Sequence, residues 1–289
     1  MKGLKMTVML TLGLAICIAA SSQAEDYGFV AEVRGEGPPM VLIPGLNTPG
    51  EVWAEVEAHY RGRYQTHTLT LKGFAGEPMT AEPSLEAVKN GLMAYLKDKQ
   101  LNKPVLVGHS LGGFLSLWVA SDAPKSVGKL VIVDSLPFFP LIFNPAATEA
   151  SMEPLARQQT QGIASASVEG RRQYYQGSVP GLVTSEEDAR RITGWGVASD
   201  PAMTAQSMYT MFTTDLRDDL ARIEVPTLVL GSWYSAKNFG GTIDSVKAQF
   251  SMQYEHLPEV EIVMHEQARH FIMLDDPQWT MEKVDGFLH

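Results

Sequence analysis

Ser110 lies in a segment whose residue types and spacing could turn a serine into a nucleophile. A short apolar run at 104–107 predicts a buried strand, and residues 111–120 predict a helix directly after it. Gly108, Ser110 and Gly112 form the pattern G-x-S-x-G, in which small residues let the chain turn sharply from strand to helix. The serine is then held in an exposed position, so Ser110 is the predicted nucleophile.

A serine hydroxyl is a weak nucleophile at neutral pH and needs a base within hydrogen-bonding distance. His270 is the leading candidate, because it follows the predicted last strand at 260–264 and precedes a C-terminal helix at 277–288. His265, at the end of that strand, is the alternative. His109 is next to the serine but would point away from it at such a turn, which favours a packing role.

The residues around this turn resemble those of the α/β-hydrolase family. Its esterases, lipases and related enzymes commonly carry an elbow like the Gly-His-Ser-Leu-Gly-Gly at 108–113, and His270 in its His-Phe-x-x-x-Asp-Asp-Pro context falls where the family's histidine lies. The resemblance implies an α/β fold with a mostly parallel central sheet flanked by helices and an inserted helical cap. It also implies a Ser-His-Asp mechanism through an acyl-enzyme.

The acid that orients the histidine is less evident from the sequence. The commonest family arrangement places an aspartate shortly after the strand that ends at Gly231, but this chain has Ser232, Trp233 and Tyr234 there. A minority arrangement takes the acid from the end of the strand after the elbow helix, which is the position of Asp134. We therefore predict Asp134 as the acid, with Asp244 as the alternative.

Two backbone N–H groups are predicted to bind the oxyanion. Leu111 begins the elbow helix, where N–H groups point outward and the helix dipole favours negative charge. The loop Pro44-Gly45-Leu46 matches a family loop that usually reads His-Gly-x; proline replaces the histidine, but a backbone donor does not depend on that side chain. Leu46 is accordingly the second predicted donor, while Gly45 serving only as a turn residue is the plainer alternative.

The order of elements predicts the α/β class independently of the motif. Apolar, valine-rich strands alternate with amphipathic helices through the first half of the chain, and this alternation implies a parallel sheet with right-handed crossovers. Residues 29–34 and 40–43, separated by a Gly- and Pro-rich break, are predicted to form a hairpin leading into a buried central strand.

The predicted domains are an N-terminal part of the hydrolase core at 25–135, a helical cap at 136–222 and a C-terminal part of the core at 223–289. Three side chains are predicted to contact substrate: Phe74 in a glycine-rich loop, Met208 in the cap and Trp233 after a strand. For Phe74 and Met208, ordinary packing is the competing interpretation.

Residues 1–24 have the features of a secretory signal peptide. Lys2 and Lys5 precede the uncharged run 6–20, and a small-x-small site comes before Glu25. The apolar run is too short to span a membrane, so stable membrane insertion is not expected and a periplasmic or secreted location is. The single cysteine, Cys17, lies inside this leader, so the mature chain would have no disulfide and no thiol chemistry.

Charge and composition restrict the partners. The formal net charge is −10, and removal of the leader's two lysines leaves −12, which disfavours nucleic acid. The seven histidines form no recognisable metal-binding pattern, and the predicted chemistry needs neither a metal nor an organic cofactor. The expected partner is a small-molecule ester with an apolar acyl group.

The favoured function is therefore that of an exported carboxylic-ester hydrolase. Lactonase, amidase or other cofactor-free chemistry on the same fold is the nearest alternative. A binding protein that has kept the elbow but lost turnover is a further alternative, and the absence of an aspartate after Gly231 is its main support.

Overall fold

The computed structural model describes residues 26–79 and 82–289. The predicted signal peptide, residues 1–24, lies outside the described residues. Within those two ranges, no helix combines the length and apolar character that a bilayer crossing requires.

Seven strands form a single sheet in the described chain, in the order β1-β3-β2-β4-β5-β6-β7. Neighbouring strands from β3 to β7 pair in parallel, and only β1 is antiparallel to its neighbour, β3. This mostly parallel sheet confirms the predicted α/β class. The strands are β1 Phe29–Arg34, β2 Pro39–Ile43, β3 Gln65–Leu71, β4 Val105–His109, β5 Lys129–Val133, β6 Thr227–Ser232 and β7 Val260–His265.

Both faces of the central strands are buried, which explains their continuous apolar sequences. In β5, Leu130 and Ile132 belong to one apolar cluster, and Val131 and Val133 belong to another on the opposite face. Each fully buried aliphatic side chain of this kind contributes about 1.5–3 kcal/mol. The parallel ladder brings the carboxyl ends of β4, β5 and β6 to one edge of the sheet.

The predicted hairpin at the N-terminus is wrong. β1 pairs with β3, with Phe29 opposite Leu71, whereas β2 lies between β3 and β4 and is parallel to both. Both edges of β2 are therefore already occupied, and β1 pairs at the sheet edge beyond β3. The Gly- and Pro-rich break between the two strands is a crossing connection and not a hairpin turn.

Ten α-helices accompany the sheet in the described residues. Most of them flank the sheet, whereas four lie between β5 and β6. The helices are α1 Ala54–Tyr60, α2 Leu85–Asp98, α3 Leu111–Asp122, α4 Glu149–Ser165, α5 Val168–Ser178, α6 Glu186–Ala198, α7 Pro201–Thr213, α8 Ile243–Gln253, α9 Ile272–Asp275 and α10 Pro277–Leu288.

The four helices between β5 and β6, α4 to α7, form the segment that we call the cap. Each of these helices begins at a residue whose side chain binds the helix N-terminus. Thr148, Ser167, Ser185 and Asp200 each accept a hydrogen bond from a backbone N–H of the following first turn. Each such N-terminal hydrogen bond stabilises its helix by about 1 kcal/mol. Helix α4 packs on α7 and α5 packs on α6. Met203 and Met211 of α7 belong to the main apolar cluster, whereas Phe212 belongs to a separate cluster with α4, so α7 packs against both.

Candidate active site

Ser110 occupies a sharp turn between β4 and α3. Its backbone has φ +52° and ψ −118°, a conformation that a residue other than glycine adopts only under constraint. One constraint is the hydrogen bond from its N–H to the carbonyl of Val133, 2.9 Å away. The flanking glycines are required by close packing, since a methyl group on Gly108 would overlap the carbonyl of Gly112, and one on Gly112 would overlap that of Ile43.

Asp134 follows β5 directly and binds His270. The distance between Asp134 Oδ2 and His270 Nδ1 is 2.7 Å, and the two side chains are 11% and 26% exposed. Ser232, the last residue of β6, donates its backbone N–H to Oδ1 at 2.7 Å and its hydroxyl to Oδ2 at 2.9 Å. Three donors thus fix the carboxylate, and the carboxylate fixes which nitrogen of the His270 ring faces away from it.

His109 connects the elbow to the loop that carries His270. Its ring is 1% exposed, its Nε2 lies 3.0 Å from the carbonyl oxygen of His270, and the two imidazole centroids are 4.5 Å apart. Burial lowers the pKa of His109 well below its usual value, and the nearby His270 lowers it further. The ring is therefore neutral and donates through Nε2 to the carbonyl. This arrangement agrees with the packing role predicted for His109.

These contacts bring the predicted nucleophile and base to the same place. Ser110 is the residue after His109, and its N–H is bound to the residue before Asp134. His270 contacts His109 through its backbone carbonyl and contacts Asp134 through its ring.

The two predicted oxyanion donors follow the carboxyl ends of the neighbouring parallel strands β2 and β4. Leu111 is the first residue of α3, so its N–H has no acceptor within the helix. Gly45 lies against the elbow, because a methyl group added to it would be 2.7 Å from His109 Nδ1 and 3.2 Å from Ser110 Cβ. Among the loop hydrogen bonds between described backbone groups, none uses the N–H of Leu46 as donor.

The alternative base and acid are placed differently. His265 Nε2 lies 3.2 Å from Asp276 Oδ2, and its Nδ1 accepts the N–H groups of Gln267 and Ala268. Both ring nitrogens of His265 are thus used to build the turn after β7. Asp244 lies on the exposed first turn of α8.

The three predicted substrate contacts have unequal support. Phe74 is 0% exposed and belongs to the main apolar cluster, so the prediction that it contacts substrate is not supported; the glycine loop turns it into the core. Met208 is half-buried and packs against two apolar clusters. Trp233 is also half-buried, and its Nε1 donates to the carbonyl of Glu266, joining the segments that follow β6 and β7.

The loop after His270 is tied to the cap. Asp275 Oδ1 accepts both the N–H and the hydroxyl of Thr184, each at 2.7 Å. Its Oδ2 accepts the N–H of Arg269 at 2.8 Å. The Arg269 guanidinium donates to the carbonyls of Pro180 and, at 2.8 Å, Val183. The chain on either side of His270 is therefore held by cap residues 180–184.

A surface pocket of about 780 Å³ opens between α5 and α6 beside Arg269, and neither Ser110 nor His270 lines it. The hydrogen bond between Asp134 and His270 therefore lies outside this pocket. Within residues 26–79 and 82–289, no group of three or more His, Cys, Asp or Glu side chains is arranged to hold a metal ion.

The sequence patterns do not identify Ser232 as a neighbour of Asp134. Ser232 ends the strand next to Asp134 and binds its carboxylate. A polar residue at the end of a neighbouring parallel strand was the available signal.

Comparison with known proteins identifies relatives of this chain. Curated relatives include the pimeloyl-[acyl-carrier protein] methyl ester esterases of Aeromonas hydrophila subsp. hydrophila, 26% identical over 88% of this chain and 96% of the relative, and of Nitrosomonas europaea, 25% identical over 88% and 97%. Among solved structures, the enol-lactonase of Burkholderia xenovorans LB400 superposes with a TM-score of 0.71 at 16% identity, covering 90% of this chain and 96% of that one.

A thermophilic esterase from Thermogutta terrifontis also superposes with a TM-score of 0.71, at 19% identity over 90% of this chain and 92% of that one. At these identities the structural likeness concerns the fold alone. The model of the alpha/beta hydrolase family matches residues 40–283, which include the elbow, the cap and the His270 loop. The chain therefore belongs to the alpha/beta hydrolase family.

Proposed function

We propose that this protein hydrolyses carboxylic esters of small molecules through a serine acyl-enzyme. The observation that carries the proposal is the 2.7 Å contact between Asp134 and His270, made beside a serine held at positive φ. An aspartate on Nδ1 leaves Nε2 of His270 as the nitrogen that exchanges protons with Ser110. The curated relatives, named as methyl ester esterases, support an ester as the bond that is cleaved.

In the proposed reaction, His270 Nε2 takes the proton of Ser110 as Oγ attacks the ester carbonyl carbon. The N–H groups of Leu46 and Leu111 stabilise the oxyanion, and His270 gives the proton to the departing alcohol. Water then attacks the acyl-enzyme with the same base, and the carboxylic acid and Ser110 are released. Asp134 stabilises the imidazolium in both steps.

The substrate is a small ester with an apolar acyl group, entering between the sheet edge and the cap. Half-buried Met208 and Trp233 are the apolar side chains proposed to contact it. Simple alkyl esters, including methyl esters, are the first compounds to test because of the names of the relatives.

Export is part of the proposal and rests on residues 1–24 alone. The expected mature protein begins at Glu25. Expression of the full chain in a Gram-negative host, followed by fractionation and intact-mass measurement, would test this. Recovery of the unprocessed chain from the cytoplasm would contradict it.

The decisive experiment for the function compares the wild type with Ser110→Ala. A fluorophosphonate probe should label the wild type at Ser110, and p-nitrophenyl esters of increasing acyl length should be hydrolysed. Ser110→Ala should lose labelling and turnover while keeping the circular dichroism spectrum of the wild type. A folded wild type that neither reacts with the probe nor hydrolyses any ester would favour the binding-protein alternative.

A further inference from the structure

We infer that Asn47 is a positioning residue, which holds the Leu46 oxyanion donor in place by bonding to two helices of the cap. The inference rests on the proposed function and extends it by making the cap a support of the catalytic machinery. Asn47 follows the donor directly and is only 5% exposed. Its two polar side-chain atoms both bind cap residues.

The side-chain contacts are short and come from two different helices. Asn47 Nδ2 donates to the hydroxyl of Tyr175, on α5, at 2.7 Å. Asn47 Oδ1 also lies 2.7 Å from the hydroxyl of Thr204, on α7, and this distance is shorter than the 2.9 Å from that hydroxyl to the carbonyl of Asp200. Buried hydrogen bonds of this kind restrict a loop strongly, because breaking one leaves an unpaired polar group inside the protein.

The backbone turn that contains Asn47 also contains Leu46, so the side-chain contacts of Asn47 affect the position of Leu46. Gly45 to Thr48 form a tight turn, in which the Thr48 N–H lies 3.3 Å and the Thr48 hydroxyl 3.0 Å from the Gly45 carbonyl. Asn47 is the third residue of this turn and has φ +61°, a conformation that asparagine and glycine tolerate best. The Leu46 N–H belongs to the Gly45–Leu46 peptide inside this turn, so a shift of Asn47 that distorts the turn would also move that N–H.

Asn47→Gly separates the two contributions of this residue. Glycine accepts the positive φ, so the turn can persist, but both bonds to the cap are lost. Removal of an oxyanion donor costs about 10²- to 10³-fold in kcat, and a loosened donor should cost less. We expect kcat to fall about 10-fold, with KM changed less than 3-fold.

A second pair of variants tests the same contact from the cap. Thr204→Val removes the hydroxyl, while Thr204→Ser keeps it and should restore kcat to within 2-fold of the wild type. Thr213→Val serves as a matched control, because its hydroxyl also lies on α7 but bonds only within the helix, to the carbonyl of Tyr209. This control should leave kcat unchanged.

Two quantities are measured: the hydrolysis of p-nitrophenyl acetate, and inhibition by a trifluoromethyl ketone. The serine oxygen adds to the carbonyl carbon of this ketone and leaves an oxyanion. The inference predicts that Asn47→Gly and Thr204→Val lose ketone affinity in parallel with kcat, because both quantities depend on the oxyanion donors. If kcat stays within 2-fold in Thr204→Val, or if only KM changes, the inference is overturned. If the wild type itself is inactive towards esters and probe, the proposed function fails instead. Should Asn47→Gly not fold, the Thr204 pair decides.

Discussion

Ser232 binds the carboxylate of Asp134 at both oxygens, with its backbone N–H 2.7 Å from Oδ1 and its hydroxyl 2.9 Å from Oδ2. Ser232 ends β6, the strand after which the family most often places its acid. In this chain Asp134, the predicted acid, directly follows β5, and the residue at the end of β6 binds its carboxylate. The absence of an aspartate after β6 therefore no longer favours a binding protein, because His270 has a carboxylate partner.

Asp134→Asn should lower kcat about 10³- to 10⁴-fold with little change in fold, because the new amide can donate to Nδ1 and stabilise the wrong histidine tautomer. Steady-state hydrolysis of a short p-nitrophenyl ester measures the effect. Asp244→Asn is the matched control and should retain wild-type kcat. Loss of activity in the Asp244 variant alone would assign the acid to α8.

The ties between the cap and the loop that carries His270 should be measurable as a coupling energy. Thr184→Val and Asp275→Asn each weaken the 2.7 Å bond between the two side chains, so the double variant should be less destabilised than the sum of the single variants. We expect a coupling of about 0.5–1.5 kcal/mol. Urea unfolding of the four proteins provides the free energies, and strict additivity would show that the bond contributes nothing to stability.

The sequence was sufficient where the determining interactions are local or follow directly from strand order. The elbow, the strand ending before Asp134 and the His270 loop all follow from short patterns, and the parallel sheet then brings their ends together. The pairing of β1 with β3, and the contact of Asn47 with Tyr175, 128 residues away, depend on long-range packing. Phe74 shows the same limit, since a loop sequence does not specify which way its aromatic side chain turns.

Gly112 should be among the least replaceable residues of the fold. A methyl group there would overlap the backbone carbonyls of Ile43 and Pro44, which cannot move without disturbing β2. Gly112→Ala should therefore lower the free energy of unfolding by about 2 kcal/mol or more. Gly162→Ala is the matched control: it lies in α4 with no atom within 4 Å of the added methyl group, and alanine should stabilise that helix by about 0.5–1 kcal/mol. Equal Tm values for the two variants would contradict this account of the elbow.

Acid should destabilise the protein below about pH 6.5, the ordinary pKa of histidine. Burial lowers the pKa of His109 and of His67 in the folded protein, so the unfolded chain takes up protons at a pH where the folded chain does not. Because the unfolded state binds more protons, the free energy of unfolding falls as the pH is lowered, by at most about 1.4 kcal/mol per pH unit for each ring. Above pH 6.5 neither ring contributes a slope.

His67 is the better residue for testing this pH dependence, because it is remote from the catalytic contacts. Its Nδ1 lies 2.8 Å from the hydroxyl of Tyr95 and its Nε2 lies 3.1 Å from Gln65 Oε1. His67→Gln should reduce the loss of unfolding free energy between pH 7.5 and pH 5, measured by urea titration at both values. Tyr95→Phe removes the hydrogen bond between residues 67 and 95 but keeps the imidazole of His67. This variant should therefore show the wild-type dependence of the unfolding free energy on pH. A wild type whose unfolding free energy is the same at pH 7.5 and pH 5 would show that these rings do not couple folding to protonation.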